Sequence, residues 1–191
     1  MDVYKRVVPL RHEGYSEWPS SRKLSCKYEM LHITPPMVAP SCIKESPFAD
    51  PTGFMDVNKN TLQSTRFKNV FGLGDCINVP TSKTMAAVAS QSAVVTQNLK
   101  ILLKGKKILT HGYYGYTSCP LVTGYNKGIL AEFNYEMLPE ETLPIDQGKE
   151  RTLFYYLKKD FMPFLYWNFM LKGNWSGPKF FRKLLHLGVT K

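Results

Sequence analysis

The chain contains the stretch Asn69-Val70-Phe71-Gly72-Leu73-Gly74-Asp75, followed closely by Pro80-Thr81-Ser82-Lys83-Thr84. Two β-prone apolar residues lead into a glycine-spaced turn that ends in a carboxylate, and a helix start comes next. The glycines let the backbone approach a ligand closely, and Asp75 can accept hydrogen bonds from sugar-alcohol hydroxyls. Taken alone, Gly-x-Gly-Asp is a common turn. With the helix after it, the layout favours a ribose-and-phosphate ligand, and flavin is the first cofactor to test.

Residues 84–104 have the periodicity of a long amphipathic helix. Thr81 or Ser82 can cap its start, and Gly105 can end it in the left-handed conformation. The residues that the spacing places on one face are Met85, Val88, Ser92, Val95, Leu99 and Leu102. The start of this helix favours an electron-rich oxygen, because its first N–H groups are unpaired and carry a partial positive charge.

Lys83 adds a full positive charge at the same point. In a flavin site the pyrimidine end of the ring would lie here, because reduction places negative charge at N1 and O2. The alternative is a solvated lysine in the first turn. Lysine is not the electrostatically preferred residue at a helix start, and this conflict favours a functional role for Lys83.

Short apolar runs and helical periodicity predict the remaining elements. The predicted strands are residues 28–34, 70–73, 121–123 and 128–135. The last of them alternates around Ile129, Ala131 and Phe133. The tail from residue 149 is predicted to be helical, with a kink at Pro163 and a second helix starting at Pro178. Residues 1–27 show no clean period and are predicted to be irregular.

The composition is globular and excludes wholesale disorder, since 43% of the 191 residues are hydrophobic and 21% are charged. The four cysteines and four histidines are scattered, which gives neither zinc-ligand spacing nor a secreted disulfide framework. We therefore predict no metal site and a reducing compartment. The longest apolar run, residues 161–171, is shorter than the roughly 20 residues of a membrane span, so no crossing of a bilayer is predicted.

The tail concentrates positive charge and aromatic rings. The formal net charge of the chain is +10, and residues 149–191 hold nine lysines and arginines against two acidic residues. Short helices of this kind are typical of a protein that lies in a membrane interface. Single-stranded nucleic acid binding and a core helix pair are the alternatives. The strongly apolar cluster at residues 161–167 favours the membrane and argues against a nucleic acid partner.

Cys119 lies in Tyr116-Thr117-Ser118-Cys119-Pro120. Pro120 withholds an N–H group and restricts the local backbone, so the thiol can be directed toward a cavity. A buried, inert cysteine is the alternative, and it is the usual role of a lone cysteine. Cys76, next to Asp75, is predicted to serve packing.

Together these motifs resemble the mitochondrial sulfide:quinone oxidoreductase family of the flavoprotein disulfide reductase superfamily. The resemblance runs from about residue 28 to the end of the chain and concerns the C-terminal part of the family only. The Gly-x-Gly-Asp motif alone would indicate no more than the superfamily. The stretches that carry the resemblance are His32-Ile33-Thr34-Pro35-Pro36-Met37, Val70-Phe71-Gly72-Leu73-Gly74-Asp75-Cys76, Pro80-Thr81-Ser82-Lys83-Thr84, Gly115-Tyr116-Thr117-Ser118-Cys119-Pro120-Leu121-Val122-Thr123-Gly124-Tyr125-Asn126 and Met162-Pro163-Phe164-Leu165-Tyr166-Trp167-Asn168.

The resemblance implies an α/β fold, namely the C-terminal portion of tandem Rossmann-like FAD/NAD(P)-binding domains with an amphipathic helical membrane anchor beside the quinone site. It implies bound FAD and a peripheral position on the mitochondrial inner membrane. Hydrogen sulfide would be oxidised to a cysteine persulfide, a small acceptor would take the sulfur, and electrons would pass through FAD to ubiquinone. The implied regions are 1–27 unassigned, 28–148 the remainder of the FAD/NAD(P)-binding domains, and 149–191 the interfacial helices.

The resemblance also assigns site residues. Cys119 matches one of two redox cysteines of the family, and Asp75 matches the carboxylate on the FAD ribityl chain. The implied cofactor-binding residues are Gly74, Asp75, Lys83, Thr84, Met85 and Ala86.

The chain also departs from the family pattern. No Gly-x-Gly-x-x-Gly follows a predicted strand, and no other cysteine matches the second redox cysteine. We therefore expect a truncated form, an isoform or a partial gene model of the enzyme, and we expect that the chain on its own neither holds FAD tightly nor runs the redox cycle. Two alternatives stay open: a type II NADH:quinone oxidoreductase-like flavoprotein, which needs no redox cysteine, and a non-catalytic membrane-surface binding module left by truncation.

Overall fold

The structure is a computed structural model that describes residues 29, 30, 32, 34–106 and 109–187. Among the described residues, those from Val38 onward form one compact unit, and those up to Met37 belong to a separate one. The predicted irregular region 1–27 lies outside the described residues. So do three positions of the predicted strand 28–34, and the four that are described adopt no strand. No helix in the described ranges is long and apolar enough to cross a membrane.

The described elements combine helices with one two-stranded antiparallel sheet, which is compatible with the predicted α/β class. The helices are α1 (Ser41–Lys44), α2 (Met85–Leu103), α3 (Thr152–Tyr156), α4 (Met162–Leu165) and α5 (Lys179–Leu185). The strands are β1 (Thr117–Gly124) and β2 (Lys127–Phe133). A 3₁₀ turn covers Gly74–Cys76, and π-helical turns cover Leu157–Phe161 and Tyr166–Met170.

The predicted long helix is confirmed as α2, and Gly105 follows it with a φ of +72°. Its cap is Thr84, whose Oγ1 accepts a hydrogen bond from the Ala87 N–H at 3.2 Å. The prediction of Thr81 or Ser82 as the cap is wrong. The Thr81 hydroxyl instead donates to a backbone carbonyl of a later loop.

The inward face of α2 differs from the predicted one. Of the predicted stripe only Val95 is buried, and Met85 is 54% exposed. The buried residues of the helix are Ala87, Ala89, Ser90, Gln91, Val95 and Asn98. The two amides lie inward because they satisfy backbone groups of irregular segments. Gln91 accepts a hydrogen bond from the Gly74 N–H at 2.7 Å, and Asn98 donates to two loop carbonyls.

The strand predicted at residues 70–73 is wrong. Phe71 forms a single bridge with a neighbouring segment, and the backbone turns immediately afterwards, so no ladder develops. Gly72 packs directly against the core instead. A Cβ at this position would lie 2.6 Å from side-chain atoms of Ile77 and Met55, so the site requires glycine. The core is therefore built largely from irregular backbone. Its buried members are Met55, Val57, Leu62, Ile77, Val79, Val95, Tyr113 and Tyr116.

The strands predicted at residues 121–123 and 128–135 are confirmed as one hairpin, in which Cys119 pairs with Ala131. β1 begins earlier than predicted, so the cysteine lies within the strand. The buried positions of β2 are Gly128, Leu130 and Glu132. The residues whose alternation predicted this strand, Ile129, Ala131 and Phe133, therefore lie on its less buried face. The carboxylate of Glu132 lies on the buried face.

The predicted helical tail is confirmed. From residue 152 to residue 170 the chain is continuously helical, and we call this segment the aromatic helix. Pro163 lies in the first turn of α4, with π-helical turns before and after that helix. Phe154 is 2% exposed, and α3 packs against β2. Helix α5 starts directly after Pro178, as predicted.

Candidate functional site

The glycine turn is held against α2 and presents one carboxylate to solvent. Gly74 has a φ of +79°, and its N–H donates to the Gln91 side chain. Asp75 is exposed, whereas Cys76 is half-buried and its Sγ contacts the Leu73 carbonyl at 3.3 Å. The turn therefore leaves Asp75 available to a ligand, and the Cys76 thiol is engaged within the protein, in line with its predicted packing role.

Lys83 turns back toward its own loop. Its ammonium group donates to the Ile77 carbonyl and lies 4.9 Å from the centroid of the Phe54 ring. Burial lowers the pKa of Lys83, and the negative charge of Asp75 partly opposes that shift. The lysine thus places its positive charge within the loop that joins the glycine turn to α2.

β1 meets the start of α2 through a pair of threonines. Thr84 Oγ1 and Thr117 Oγ1 are 2.9 Å apart, and the Thr117 hydroxyl donates to the Ser82 carbonyl at 3.1 Å. Because side chains alternate along a strand, Cys119 shares the face of Thr117 and lies about 7 Å further along β1. Cys119 is exposed. The structure therefore brings this thiol close to the helix start that is predicted to face a cofactor.

Ser118 lies on the opposite face of β1 and lines an apolar cavity of about 420 Å³. Two of the predicted cofactor residues, Met85 and Ala86, line the same cavity. Its apolar walls come mainly from the aromatic helix and α5, and include Leu157, Phe161, Leu165, Tyr166, Phe181 and Leu185. The other predicted cofactor residues are Gly74, Asp75, Lys83 and Thr84, and they border a separate depression that has no room for a water-sized sphere. The predicted set is thus divided between two concavities.

The polar lining of the apolar cavity centres on Glu132, which is 4% exposed. Its carboxylate accepts hydrogen bonds from the Tyr116 hydroxyl, from the N–H and hydroxyl of Thr142 at 2.8 Å each, and from the Gln147 amide at 2.7 Å. Arg182 Nη2 lies 4.0 Å from the same carboxylate. Burial, reinforced by the negative charge of Glu132, raises the pKa of Tyr116.

Sequence reasoning missed this polar cluster. It counted Arg182 among the basic residues of the tail and gave no role to Glu132. One signal could have found Glu132: a carboxylate inside the otherwise apolar run 128–133, because a buried charge requires partners. The partners Gln147 and Arg182 come from distant segments, and no local pattern places them together.

The residues around the glycine turn border one depression, which holds an exposed carboxylate, a lysine and a capped helix start. Among the described residues, only a Val88 methyl group lies within 4 Å of the position that a Cβ on Gly74 would take. Pockets for small ligands hold roughly 300–1,000 Å³, and this depression has no room even for a water-sized sphere. These residues alone therefore do not enclose a dinucleotide.

The comparisons with known proteins agree with the motifs. No family model matches the chain. The chain is 58% identical over 163 residues to the mitochondrial sulfide:quinone oxidoreductase of Mus musculus, which covers 85% of this chain and 36% of the relative. The Dictyostelium discoideum protein of the same name is 51% identical, with 86% and 36% covered. The Schizosaccharomyces pombe protein is 48% identical, with 80% and 34% covered.

Among solved structures, the chain is similar to a chain in the cryo-EM structure of the Tetrahymena thermophila mitochondrial ATP synthase F1Fo composite tetramer. The TM-score is 0.54 and the sequence identity is 25%, with 79% of this chain and 33% of that chain covered. The chain spans about a third of the length of the curated relatives that it matches. The resemblance predicted from the motifs is confirmed, and the chain is related in sequence to the C-terminal part of the mitochondrial sulfide:quinone oxidoreductases.

Proposed function

We propose that this chain supplies the thiol, the quinone-facing cavity and the membrane-facing surface of an FAD-dependent sulfide:quinone oxidoreductase. Hydrogen sulfide is oxidised to a persulfide on Cys119, a small acceptor takes the sulfur, and ubiquinone receives the electrons. The observation that carries the proposal is the position of Cys119, which is exposed on β1 two residues from the threonine that contacts the start of α2. The names of the relatives support the same activity.

FAD is the cofactor that this activity requires, in the tandem Rossmann-like fold that the resemblance implies. Asp75 would accept hydrogen bonds from the ribityl hydroxyls, since its carboxylate is exposed beside the glycine turn. Lys83 and the first N–H groups of α2 would favour an electron-rich oxygen of the ring. The chemistry that FAD supplies when bound is the passage of two electrons from a thiol adduct to a quinone.

The apolar cavity is the proposed quinone site. A quinone head group combines an apolar ring with carbonyl oxygens, and sites for such ligands are mostly apolar with a few placed polar groups. The cavity has aromatic and aliphatic walls, and its polar lining is Ser118 together with the cluster around Glu132. Ser118 and Cys119 are consecutive and lie on opposite faces of β1, so one strand would separate the thiol from the quinone.

The aromatic helix is the proposed contact with the membrane surface. Several of its large apolar side chains are exposed, namely Tyr156, Phe161, Phe164, Trp167 and Phe169. Lys158 and Lys159 are exposed on the same segment, as is Lys172 just beyond it. Aromatic and basic side chains on a short helix suit a position in the membrane interface, here on the mitochondrial inner membrane.

Sulfide-dependent reduction of a short-chain ubiquinone tests this function in the full-length, FAD-loaded enzyme of which this chain is the C-terminal part. We expect Cys119→Ser to lower the rate at least about a thousandfold, because the thiol that would carry the persulfide is removed. Cys42→Ser is the matched control, since Cys42 is also exposed and lies on α1. This variant should keep the rate of the unmodified enzyme.

Three outcomes would contradict the proposal. A Cys119→Ser chain that still reduces quinone with sulfide would remove the thiol from the mechanism. Reduction driven by NADH and independent of Cys119 would favour the type II NADH:quinone oxidoreductase alternative. Full-length enzyme that shows no flavin absorbance after incubation with FAD and gel filtration would favour the binding module.

A further inference from the structure

A third concave surface lies between α2 and α5, and we call it the α2–α5 groove. Its volume is about 360 Å³, and it shares no lining residue with the apolar cavity. The residues that define it here are Ser90, Tyr114, Gly177, Lys179, Phe180 and Lys183. Neither the glycine turn nor Cys119 contributes to it, so the proposed redox function leaves this surface without a role.

The groove holds two lysines and no acidic side chain among its described lining residues. Lys179 and Lys183 are one helical turn apart on α5, so they lie on one side of that helix. Neither lysine forms an ion pair with a carboxylate within the described part of the chain. Lys179 Nζ lies 5.1 Å from the centroid of the Tyr114 ring, which holds it beside the groove. The groove is thus complementary to an anion.

The floor of the groove is already formed. Gly177 has a φ of +98°, and a Cβ there would collide with Ser90 Oγ on α2. The Ser90 hydroxyl donates to the Ser176 carbonyl at 3.4 Å. The backbone before α5 is therefore already fixed against α2. Ligand binding would cost little conformational entropy, because this surface does not have to become ordered first.

Apolar side chains continue outward from the lysines. Phe180 lines the groove and is 71% exposed, and Leu184 on the next turn is 61% exposed. A free phosphate would gain nothing from these side chains. A lipid would place its acyl chains against them while its headgroup meets the lysines, which is the arrangement found where basic and apolar residues meet a bilayer.

We propose that the α2–α5 groove binds the phosphate headgroup of an anionic phospholipid through Lys179 and Lys183. This inference rests on the proposed position of the chain at a membrane surface. The proposal adds a defined lipid site on α5 to the general electrostatic attraction between a basic tail and a negatively charged bilayer.

Co-sedimentation with vesicles tests the lipid site, using phosphatidylcholine alone and phosphatidylcholine mixed with phosphatidylglycerol. We expect the 191-residue chain to bind the mixed vesicles more tightly, and Lys179→Gln combined with Lys183→Gln to weaken that binding about thirtyfold. Lys100→Gln combined with Lys104→Gln is the matched control, since it removes the same charge from two exposed positions one helical turn apart near the end of α2. This control pair should weaken binding less than about threefold.

The outcomes separate the lipid site from the membrane proposal. Failure of the unmodified chain to bind any vesicle would overturn the membrane placement and the lipid site together. If both pairs of lysine substitutions weaken binding equally, the membrane placement stands and the lipid site is overturned.

Acetylation of Lys179 and Lys183 followed by mass spectrometry distinguishes the source of the phosphate. If only the mixed vesicles protect the two lysines from acetylation, the lipid site is supported. If millimolar inorganic phosphate protects them equally well, the lipid site is overturned.

Discussion

Gly115 shows how a single residue can control the local backbone. It has a φ of +88°, and a Cβ there would lie 2.5 Å from the Tyr135 backbone nitrogen and would overlap the Tyr135 ring. Gly115→Ala therefore combines left-handed strain with a steric collision, and we expect a loss of about 3 kcal/mol in the free energy of unfolding. Urea denaturation of the purified chain measures it.

Gly105→Ala is the matched control for this substitution. Gly105 also has a positive φ of +72°, but no atom of the described residues beyond its chain neighbours lies within 4 Å of the position that a Cβ would take. The free energy of unfolding should fall by only about 1 kcal/mol in Gly105→Ala, since left-handed backbone strain is the single cost. Equal losses at the two positions would show that the contact with Tyr135 does not matter.

Single residues also show where sequence reasoning reached its limit. Asp75 and Cys119 are exposed, and both were found from local motifs, because a turn and a proline neighbour constrain the backbone within a few residues. Glu132 was missed because its hydrogen-bonding partners are brought together only by folding. A carboxylate alone in the sequence gives no sign of the groups that will neutralise it.

At the level of elements, one arginine ties α5 to the hairpin. The Arg182 side chain is 14% exposed, pairs with Glu140, and approaches Glu132 from the far end of the chain. Arg182→Met keeps much of the side-chain volume but removes the positive charge that faces the carboxylates of Glu132 and Glu140. We expect a loss of about 3–5 kcal/mol in the free energy of unfolding.

The control for Arg182→Met is Lys183→Met, because Lys183 is the next residue on α5 and is exposed. Its effect on the free energy of unfolding should stay within about 0.5 kcal/mol. Both variants are compared by urea denaturation followed by circular dichroism. A small loss for Arg182→Met would mean that packing alone holds α5 in place.

Helix α2 illustrates what periodicity can and cannot predict about an element. Its length and its end at Gly105 were predicted, since these depend on local backbone preferences. Its buried face was not, because two polar amides, Gln91 and Asn98, point inward to satisfy loop backbone. A pattern that counts apolar residues assigns such amides to solvent.

At the scale of the whole molecule, the exposed rings of the aromatic helix are expected to hold the chain on a membrane. Phe164→Gln combined with Trp167→Gln removes two side chains that are 53% and 63% exposed. We expect vesicle binding to fall about a hundredfold, because burying each ring contributes about 1.5–3 kcal/mol. Co-sedimentation with mixed phosphatidylcholine and phosphatidylglycerol vesicles measures the change.

A matched control for the aromatic helix lies on the hairpin. Leu121→Gln combined with Tyr125→Gln removes two exposed apolar side chains that belong to the hairpin and not to the aromatic helix. Vesicle binding should be unchanged, and an equal loss in both pairs would place the membrane contact elsewhere. Substitution is sharper than deletion of residues 149–191, because deletion would also remove the buried Phe154 and Arg182 from the body of the protein.

The sequence by itself determined the family, the long helix, the presence of two strands near residues 121–135 and the helical tail, because motifs and periodicity are properties of neighbouring residues. Tertiary structure alone decided which faces are buried and which side chains share a cavity. It turned the Lys83 ammonium toward a loop carbonyl and placed Ser118 on the wall of the apolar cavity. These outcomes depend on contacts between segments far apart in the chain, whose hydrogen bonds and burial no local pattern can specify.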